Sequence, residues 1–315
     1  MSGNTTGTVS VVVVTYNSAP FVIDTLESVR RQTYPDIEMI VTDDCSRDDT
    51  VRICREWLAE NKSRFSDVDV VVTPVNNGVP ANCNRGMRRA SGDWIKFIAG
   101  DDILLDDCIE QLVLFAETNP AACFISGGVI PFDEQGERKP IYASYKLKKR
   151  TSSLQFNALL RDNCSIPAPA LFLKKSTLEA MGGFDERYSI VEDVPLYIKV
   201  THQGYMFYFL DRPVVRYRSH QGSIMSASDH RHSDQVLQFS RDVVLPLLKK
   251  ERKFLLYWHI RVMNYSIEKT KTRFLLIDNL LLRNLFWLAV DPLYWVVLFV
   301  KVKGYLLNRY KRATG

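Results

Sequence analysis

The sequence predicts an α/β fold, a mostly parallel sheet with helices on both faces, and three observations predict it. Val9 to Tyr16 is a nearly continuous β-branched run, the pattern of a strand covered on both sides. Short apolar runs of this kind then alternate with stretches of helical periodicity, the order that produces parallel strands joined by right-handed crossovers. Three of the predicted strands end in polar or acidic clusters: Thr15-Tyr16-Asn17, Asp43-Asp44 and Asp101-Asp102. Open α/β sheets bind ligands beyond the carboxyl ends of their strands, so these clusters would meet where binding occurs.

Taken in order, Asn17-Ser18-Ala19-Pro20 breaks the first strand, and Ser18 can cap a helix that Pro20 helps to start and that reaches about Thr33. Tyr34-Pro35-Asp36 stops it. Glu38 to Thr42 is a second strand, and Ser46 with Asp49 three residues on resembles a capping box for a helix to about Asn61. Asp69 to Thr73 reads as a strand, Pro80 to Ala90 as a helix, Trp94 to Ala99 as a buried strand, and Asp106 to Asn119 as a helix closed by Pro120. Residues 1–130 are therefore expected to be a nucleotide-binding half. Residues 131–230, expected to complete the same domain, are less regular. They hold a helix from Ser153 to Arg161, a strand from Ala170 to Leu173, a helix from Lys175 to Met181 and a sharp turn at Gly182-Gly183. A helix from Asp193 to Gln203 follows, restricted by Pro195 to starting there, and then two short apolar segments, Met206 to Leu210 and Val214 to Tyr217.

Composition narrows the class. Of 315 residues, 46% are hydrophobic and 24% charged, ordinary for a globular protein and unlike a disordered one. No amino-terminal signal is visible, so the catalytic part is expected in the cytosol. The six cysteines are scattered without a C-x-x-C pair, which favours free thiols over disulfides or zinc. The net charge of +5 is unevenly spread: residues 241–315 carry 15 Lys+Arg against 5 Asp+Glu, whereas residues 1–240 carry 26 against 31. From Asp234 the periodicity is helical, and 231–315 reads as a helical extension. Phe274 to Val300 is apolar but interrupted by Asp278, Asn279, Arg283, Asn284, Asp291 and Pro292, with no window of the roughly 20 apolar residues that a spanning helix needs. The interruptions share a helical face, and Lys301, Lys303, Arg309, Lys311 and Arg312 follow. A basic extension interleaved with apolar runs suits an anionic membrane surface better than nucleic acid, and the expectation is a peripheral protein on the inner face of the cell membrane. The alternative is an amphipathic helix packed on its own domain or on a second subunit.

Gly100-Asp101-Asp102 suggests a cation bridge, because Mg²⁺ and Mn²⁺ prefer oxygen ligands and are commonly held by one or two carboxylates plus substrate phosphates. Asp44 is placed to accept from a pyrimidine N–H, and Tyr16 to lie against the base. Taken singly, each cluster is also what turn chemistry leaves. No G-x-G-x-x-G follows the first strand and no G-x-x-x-x-G-K occurs, which removes the usual support for dinucleotide and P-loop readings. Arg85 and Arg89 either reach phosphate or line a solvated helix face; Lys146 to Arg150 reads as an exposed loop.

The segments SVVVVTYN, QTYPDIEMIVTDDCS, NNGVPANCNRGMRRASGDWIKFIAGDD and GGFDERYSIVEDVPLY, in this order, resemble the inverting family 2 glycosyltransferases with the GT-A fold, over about residues 8–225. More loosely, they resemble bacterial enzymes that build cell-surface polysaccharides, the O-antigen of lipopolysaccharide among them. The resemblance implies a nucleotide-sugar donor, UDP-linked in the expected case, and Mg²⁺ or Mn²⁺. It implies that Thr15, Tyr16, Asn17 and Asp44 bind the nucleotide, that Asp101 lies near the ribose and diphosphate, that Asp102 ligates the metal, and that Asp193 is the general base. His220 is a second metal-ligand candidate, since in related enzymes a histidine after the second half reaches the metal or diphosphate. Two departures stand out: the common Asp-Asp-Gly-Ser is Asp43-Asp44-Cys45-Ser46, and the usual acidic triplet is Gly100-Asp101-Asp102, acidic only at its second and third positions. With the basic extension, the expected acceptor is a saccharide on a lipid carrier. The rivals are a metal-dependent nucleotidyltransferase, which would normally show a Gly-rich basic loop after the first strand, and a non-catalytic scaffold at the membrane.

Overall fold

A computed structural model describes residues 7–148, 151–161, 165–220 and 231–274. One half of the sheet is wholly parallel: β1 (Val9–Thr15), β2 (Ile37–Asp43), β3 (Asp67–Val72) and β4 (Trp94–Ala99) lie in the order β3-β2-β1-β4. Helices α1 (Val22–Arg30), α2 (Thr50–Asn61) and α3 (Val79–Arg89) make the crossovers. Side chains of β1 alternate between two cores. Val9, Val11 and Val13 pack with α1 and α2, while Val12 packs with α3. Burial of each such valine contributes about 1.5–3 kcal/mol, which explains why a β-branched run marks this central strand.

Beyond β4 come β5 (Ile103–Leu104), α4 (Cys108–Thr118), β6 (Phe124–Asp133) with its short partner β7 (Gly136–Glu137), α5 (Ser152–Arg161), β8 (Leu171–Lys174), α6 (Lys175–Ala180), α7 (Asp193–His202) and β9 (Phe207–Arg218). The sheet continues β4-β8-β6-β9-β5, with β8 antiparallel to both neighbours and β6 parallel to β9. Here the sequence reading needs correction. Strand β6 was not foreseen, because Gly127, Gly128 and Pro131 carry the signals of a loop. A Cβ at Gly127 would lie 2.6 Å from Val214, and one at Gly128 2.6 Å from Tyr142, so both glycines are required by close packing at a register shift. The two apolar segments expected around 206–217 are one strand, β9, on the other side of that shift.

Two helix starts also differ. Phe21 and Val22 donate their N–H groups to the Ser18 carbonyl, and α1 begins at Val22. Ser46 does not cap α2. It turns back to Asp43, and Asp48 instead accepts from the Thr50 N–H at 3.1 Å.

The chain divides into two compact units at Val236/Leu237. After α8 (Arg231–Phe239) the second unit contains a π-helical turn (Ser240–Val244), α9 (Leu245–Lys250) and α10 (Phe254–Phe274). Among the described residues no helix is long and apolar enough to cross a membrane. The interrupted apolar stretch expected to lie in the interface, up to Val300, and the basic run from Lys301 fall outside the described residues beyond Phe274. Five cysteines, Cys45, Cys54, Cys83, Cys108 and Cys123, are free; Cys164 is outside the described residues.

Helix α3 approaches β1 through Gly86, where a Cβ would meet Val12 Cγ1 at 2.3 Å. Gly86→Ala is expected to lower stability by about 1–3 kcal/mol, read from thermal or urea unfolding, despite the better helix propensity of alanine.

Candidate active site

The parallel register brings the loops together. Thr15 is paired with Asp43, and Val14 with Ala99, so Tyr16, Asp44 and Gly100-Asp101 leave neighbouring strands at the same edge. Thr15 Oγ1 donates to Asp43 at 2.8 Å, and the Ser46 N–H donates to the same carboxylate at 2.8 Å. The Asn17 N–H donates to Ser46 Oγ at 2.8 Å, and Asn17 Oδ1 accepts from the Arg47 N–H at 2.9 Å. Thr15 and Asn17, expected on the nucleotide, thus tie the first loop to the second. Tyr16, between them, is 47% exposed.

Asp44 is 2% exposed, and its carboxylate accepts from the N–H groups of Asn77 at 3.0 Å and Gly78 at 2.7 Å and from the Arg85 guanidinium. It anchors the loop before α3. The same ion pair places Arg85 beside Asp44. Arg89 is farther off still, at the amino ends of the strands, bound to Asp67 at 2.8 Å and Asp69 at 2.5 Å.

After β4 the two aspartates have different surroundings. Asp102, expected to hold the cation, is 1% exposed; its Oδ1 accepts from the Arg218 N–H at 2.9 Å. Burial and the adjacent Asp101 charge push its carboxyl well above the usual carboxylate range, against the Arg218 N–H and the buried Lys96. The carboxylate facing outward is that of Asp101, whose Oδ2 lies 2.9 Å from His220 Nε2. The His220 ring rests on Phe21, centroids 4.7 Å apart. Arg218 binds this corner from the end of β9: its Nε donates to the Asp101 carbonyl at 2.8 Å, its Nη2 to Asp24 at 2.7 Å, and its guanidinium lies 4.9 Å from the Phe21 ring centre. Arg218 was missed in the sequence; a basic residue ending an apolar strand just before His220 was the available signal. Lys96 was missed too, hidden in an apolar run. Its Nζ donates to the Phe97 carbonyl at 2.8 Å and to that of Pro169, and burial pushes its ammonium down to about 8.

The opposite bank is the loop before α7. Gly183 (φ +67°) lets the chain pass over Asn84, whose amide brackets Phe184: Oδ1 accepts from its N–H at 2.8 Å and Nδ2 donates to its carbonyl at 2.9 Å. Gly78 (φ +92°) packs so closely on Ser189 that a Cβ would lie 2.2 Å from its carbonyl oxygen. This loop delivers Glu192 and Asp193 to the start of α7. Asp193 accepts from the Val194 N–H at 2.7 Å. Burial, joined by the Asp193 charge, pushes Glu192 up to about 8; burial also raises Asp193, opposed by the Val194 N–H and by His232.

The two banks share one field. The Tyr217 hydroxyl is pushed up to about 12, first by burial and then by Asp102, Asp101 and Glu192 together. The buried Cys83 thiol is raised by burial and by both Glu192 and Asp44, with Arg85 opposing. The Val79 N–H donates to the Ser189 carbonyl at 2.8 Å, so the loop before α7 packs on the loop that Asp44 anchors. Among the described residues no three His, Cys, Asp or Glu side chains cluster as a closed metal site. The oxygen of Asp101 with the nitrogen of His220 fits the open pattern, in which one or two protein ligands are completed by phosphate oxygens and water.

A sheet of this topology, with an acidic pair after its fourth strand and another at the head of α7, defines a GT-A glycosyltransferase fold. S. aureus TarS in complex with UDP-GlcNAc superposes with a TM-score of 0.64 and 18% identity, covering 86% of this chain and 76% of that one. The sequence profile of glycosyl transferase family 2 matches residues 10–179, and the chain belongs to that family. It is 24% identical over 244 residues to Bacillus subtilis EpsE, assigned as a glycosyltransferase, covering 76% of this chain and 84% of EpsE. It is 26% identical over 220 residues to B. subtilis TuaG, assigned as a teichuronic acid biosynthesis glycosyltransferase, covering 69% and 81%.

Cys45, at the position where the family commonly has glycine, has φ +68°. A side chain costs roughly 1–2 kcal/mol in this left-handed region, partly offset by the unfolded-state entropy of glycine. Cys45→Gly is expected to be more stable than Cys45→Ala by about 1 kcal/mol in denaturant unfolding.

Proposed function

We propose that the protein is an inverting, metal-dependent transferase that moves a sugar from a UDP-linked donor to a saccharide on a lipid carrier in the synthesis of a bacterial surface polysaccharide. The observation that carries the reading is the packing of the loop that delivers Glu192 and Asp193 on the loop that Asp44 anchors, the Val79 N–H donating to the Ser189 carbonyl at 2.8 Å, at the sheet edge where Tyr16, Asp44 and Asp101 also emerge. The nucleotide-sugar complex of TarS supports the donor class, and the name of TuaG supports the product class. The lipid-linked acceptor and the cytoplasmic, peripheral location rest on the basic, apolar extension.

Asp193 acts as the base. An attacking hydroxyl must lose its proton as it bonds to the anomeric carbon, and one carboxylate with no covalent intermediate yields inversion. Glu192, pushed up to about 8 by burial and by the Asp193 charge, holds its proton at neutral pH and is the weaker candidate for the base. Asp101 with His220 holds Mg²⁺ or Mn²⁺, a revision of the expected Asp102 motivated by the burial of that side chain. When bound there, the cation supplies Lewis-acid stabilisation of the charge developing on the leaving diphosphate. Asp102 positions: its hold on the Arg218 N–H keeps the end of β9, and so His220, against Asp101. Tyr16, exposed beside the Asp44 anchor, stacks on the base.

The first experiment is a screen of UDP-sugars for hydrolysis with Mn²⁺ and with EDTA. Turnover should require the metal, and Asp101→Asn should raise the Mn²⁺ concentration needed for half-maximal rate; a metal-independent enzyme would exclude the site. Asp193→Asn should lower kcat by about 10²- to 10⁴-fold, whereas Glu192→Gln stays within about tenfold. Because a raised pKa keeps the proton on Asp193 to higher pH, and a base must be unprotonated, kcat/KM should fall with decreasing pH on a limb above the ordinary aspartate value of about 4. A limb at or below that value would remove Asp193 as the base.

A further inference from the structure

Helix α10 uses one apolar face and leaves another uncovered. Leu256 and Ile260 are buried, but Leu255 is 91% exposed and Trp258, three residues on, is 56% exposed; Phe254 beside them is exposed as well. Large apolar groups gathered at one helix start are unlike the scattered exposed residues of an ordinary surface. Their setting is basic. From Arg241 to Arg261 the chain carries six Lys or Arg and two acidic residues. Lys249, Lys250 and Arg252 are exposed on the turn that leads into the patch, where Arg252 takes φ +56° to bring α9 directly into α10. The Arg261 guanidinium lies 5.4 Å from the Trp258 ring centre, holding a cation over the indole at the next turn. Arg241, Lys249, Arg261, Tyr257, Asn264 and Glu268, the last paired with Arg241 at 3.2 Å, line a groove of about 620 Å³.

We propose that this turn and the first two turns of α10 form a membrane-docking surface, with Phe254, Leu255 and Trp258 entering the headgroup boundary of an anionic bilayer and Lys249, Lys250 and Arg252 meeting its phosphates. Apolar and aromatic side chains ringed by lysine and arginine are what such an interface selects: the rings bury area at the boundary, and each cation near the surface adds to the attraction. The occupant is an anionic lipid surface, because exposed aliphatic and aromatic side chains, Phe254, Leu255 and Trp258, stand beside the exposed cations Lys249, Lys250 and Arg252. The inference deepens the proposed action on a lipid-linked acceptor, but it concerns the described residues 249–261 and requires no saccharide.

The test is flotation of the full chain with phosphatidylglycerol/phosphatidylcholine vesicles and with phosphatidylcholine alone, beside UDP-sugar hydrolysis. The wild-type chain should float with the anionic vesicles and much less with the neutral ones. Leu255→Asp with Trp258→Ser should reduce the bound fraction by about tenfold or more, and Lys249→Glu with Lys250→Glu should do the same at low salt, with hydrolysis unchanged. Vesicles of brominated lipid should quench tryptophan fluorescence in wild type, and Trp258→Phe should reduce that quenching, Trp287 and Trp295 accounting for what is left. Undiminished flotation of both double variants would overturn the proposal. So would a fall in melting temperature or in oligomer size for Leu255→Asp with Trp258→Ser, since the face would then be covered by the chain itself or by a second copy. Vesicle binding without hydrolysis of any UDP-sugar would leave this surface standing and bring down the donor reading instead.

Discussion

The structure depends on holding carboxylates at one edge of a parallel sheet, where burial penalises each charge and every neighbour repels it. Three buried aspartates at the ends of two strands are each satisfied differently. Asp43 is bonded by Thr15 and Ser46, Asp44 by two backbone N–H groups and Arg85, and Asp102 by the Arg218 N–H with Lys96 nearby. Removing a buried charge's partner costs several kcal/mol, more than most single contacts contribute. These contacts are therefore what allow the loops to lie side by side.

This arrangement divides the acidic groups into two sets. Asp43, Asp44 and Asp102 are occupied by the protein and shape the cleft, while Asp101 and the Glu192-Asp193 pair face it. Asp44 accepts from two N–H groups and Arg85, and Asp102 is buried with one oxygen on the Arg218 N–H, whereas the Asp101 carboxylate meets the His220 ring and is the better candidate for a ligand to a cation. Adjacent letters thus acquire separate work. Arg218 is the hinge of that separation, because a single residue binds Asp102 with its main chain and the Asp101 carbonyl with its side chain.

Much of this was legible in the sequence. Strands β1, β2 and β4 announce themselves because both faces are buried, and their acidic endings mark the binding edge before any coordinates. Strand β6 does not, since its Gly127-Gly128 is explained only by Val214 and Tyr142 from elsewhere in the chain. For the same reason the sequence could not distinguish Asp101 from Asp102: the choice depends on Arg218, far along the chain, and on a burial that no local pattern reports. Arg85 and Arg89, four residues apart on one helix, show the limit again. One pairs with the cleft's anchor and the other with the opposite end of the sheet.

The loops themselves are set before any ligand arrives. Asn17, Cys45 and Gly78, which follow three neighbouring strands, all adopt positive φ, at +51°, +68° and +92°. For the first two, left-handed backbone costs roughly 1–2 kcal/mol each, and such strain persists only where surrounding bonds over-determine it. Here those bonds run between loops: Asn17 to Ser46 and Arg47, the Cys45 thiol to the Pro74 carbonyl at 3.2 Å, Gly78 to Asp44, Val79 to Ser189. Each strained residue is thus fixed by a partner on the next loop, so that loosening one releases its neighbours. A rim built this way gives up its conformational freedom on folding, and a ligand entering it has little left to order.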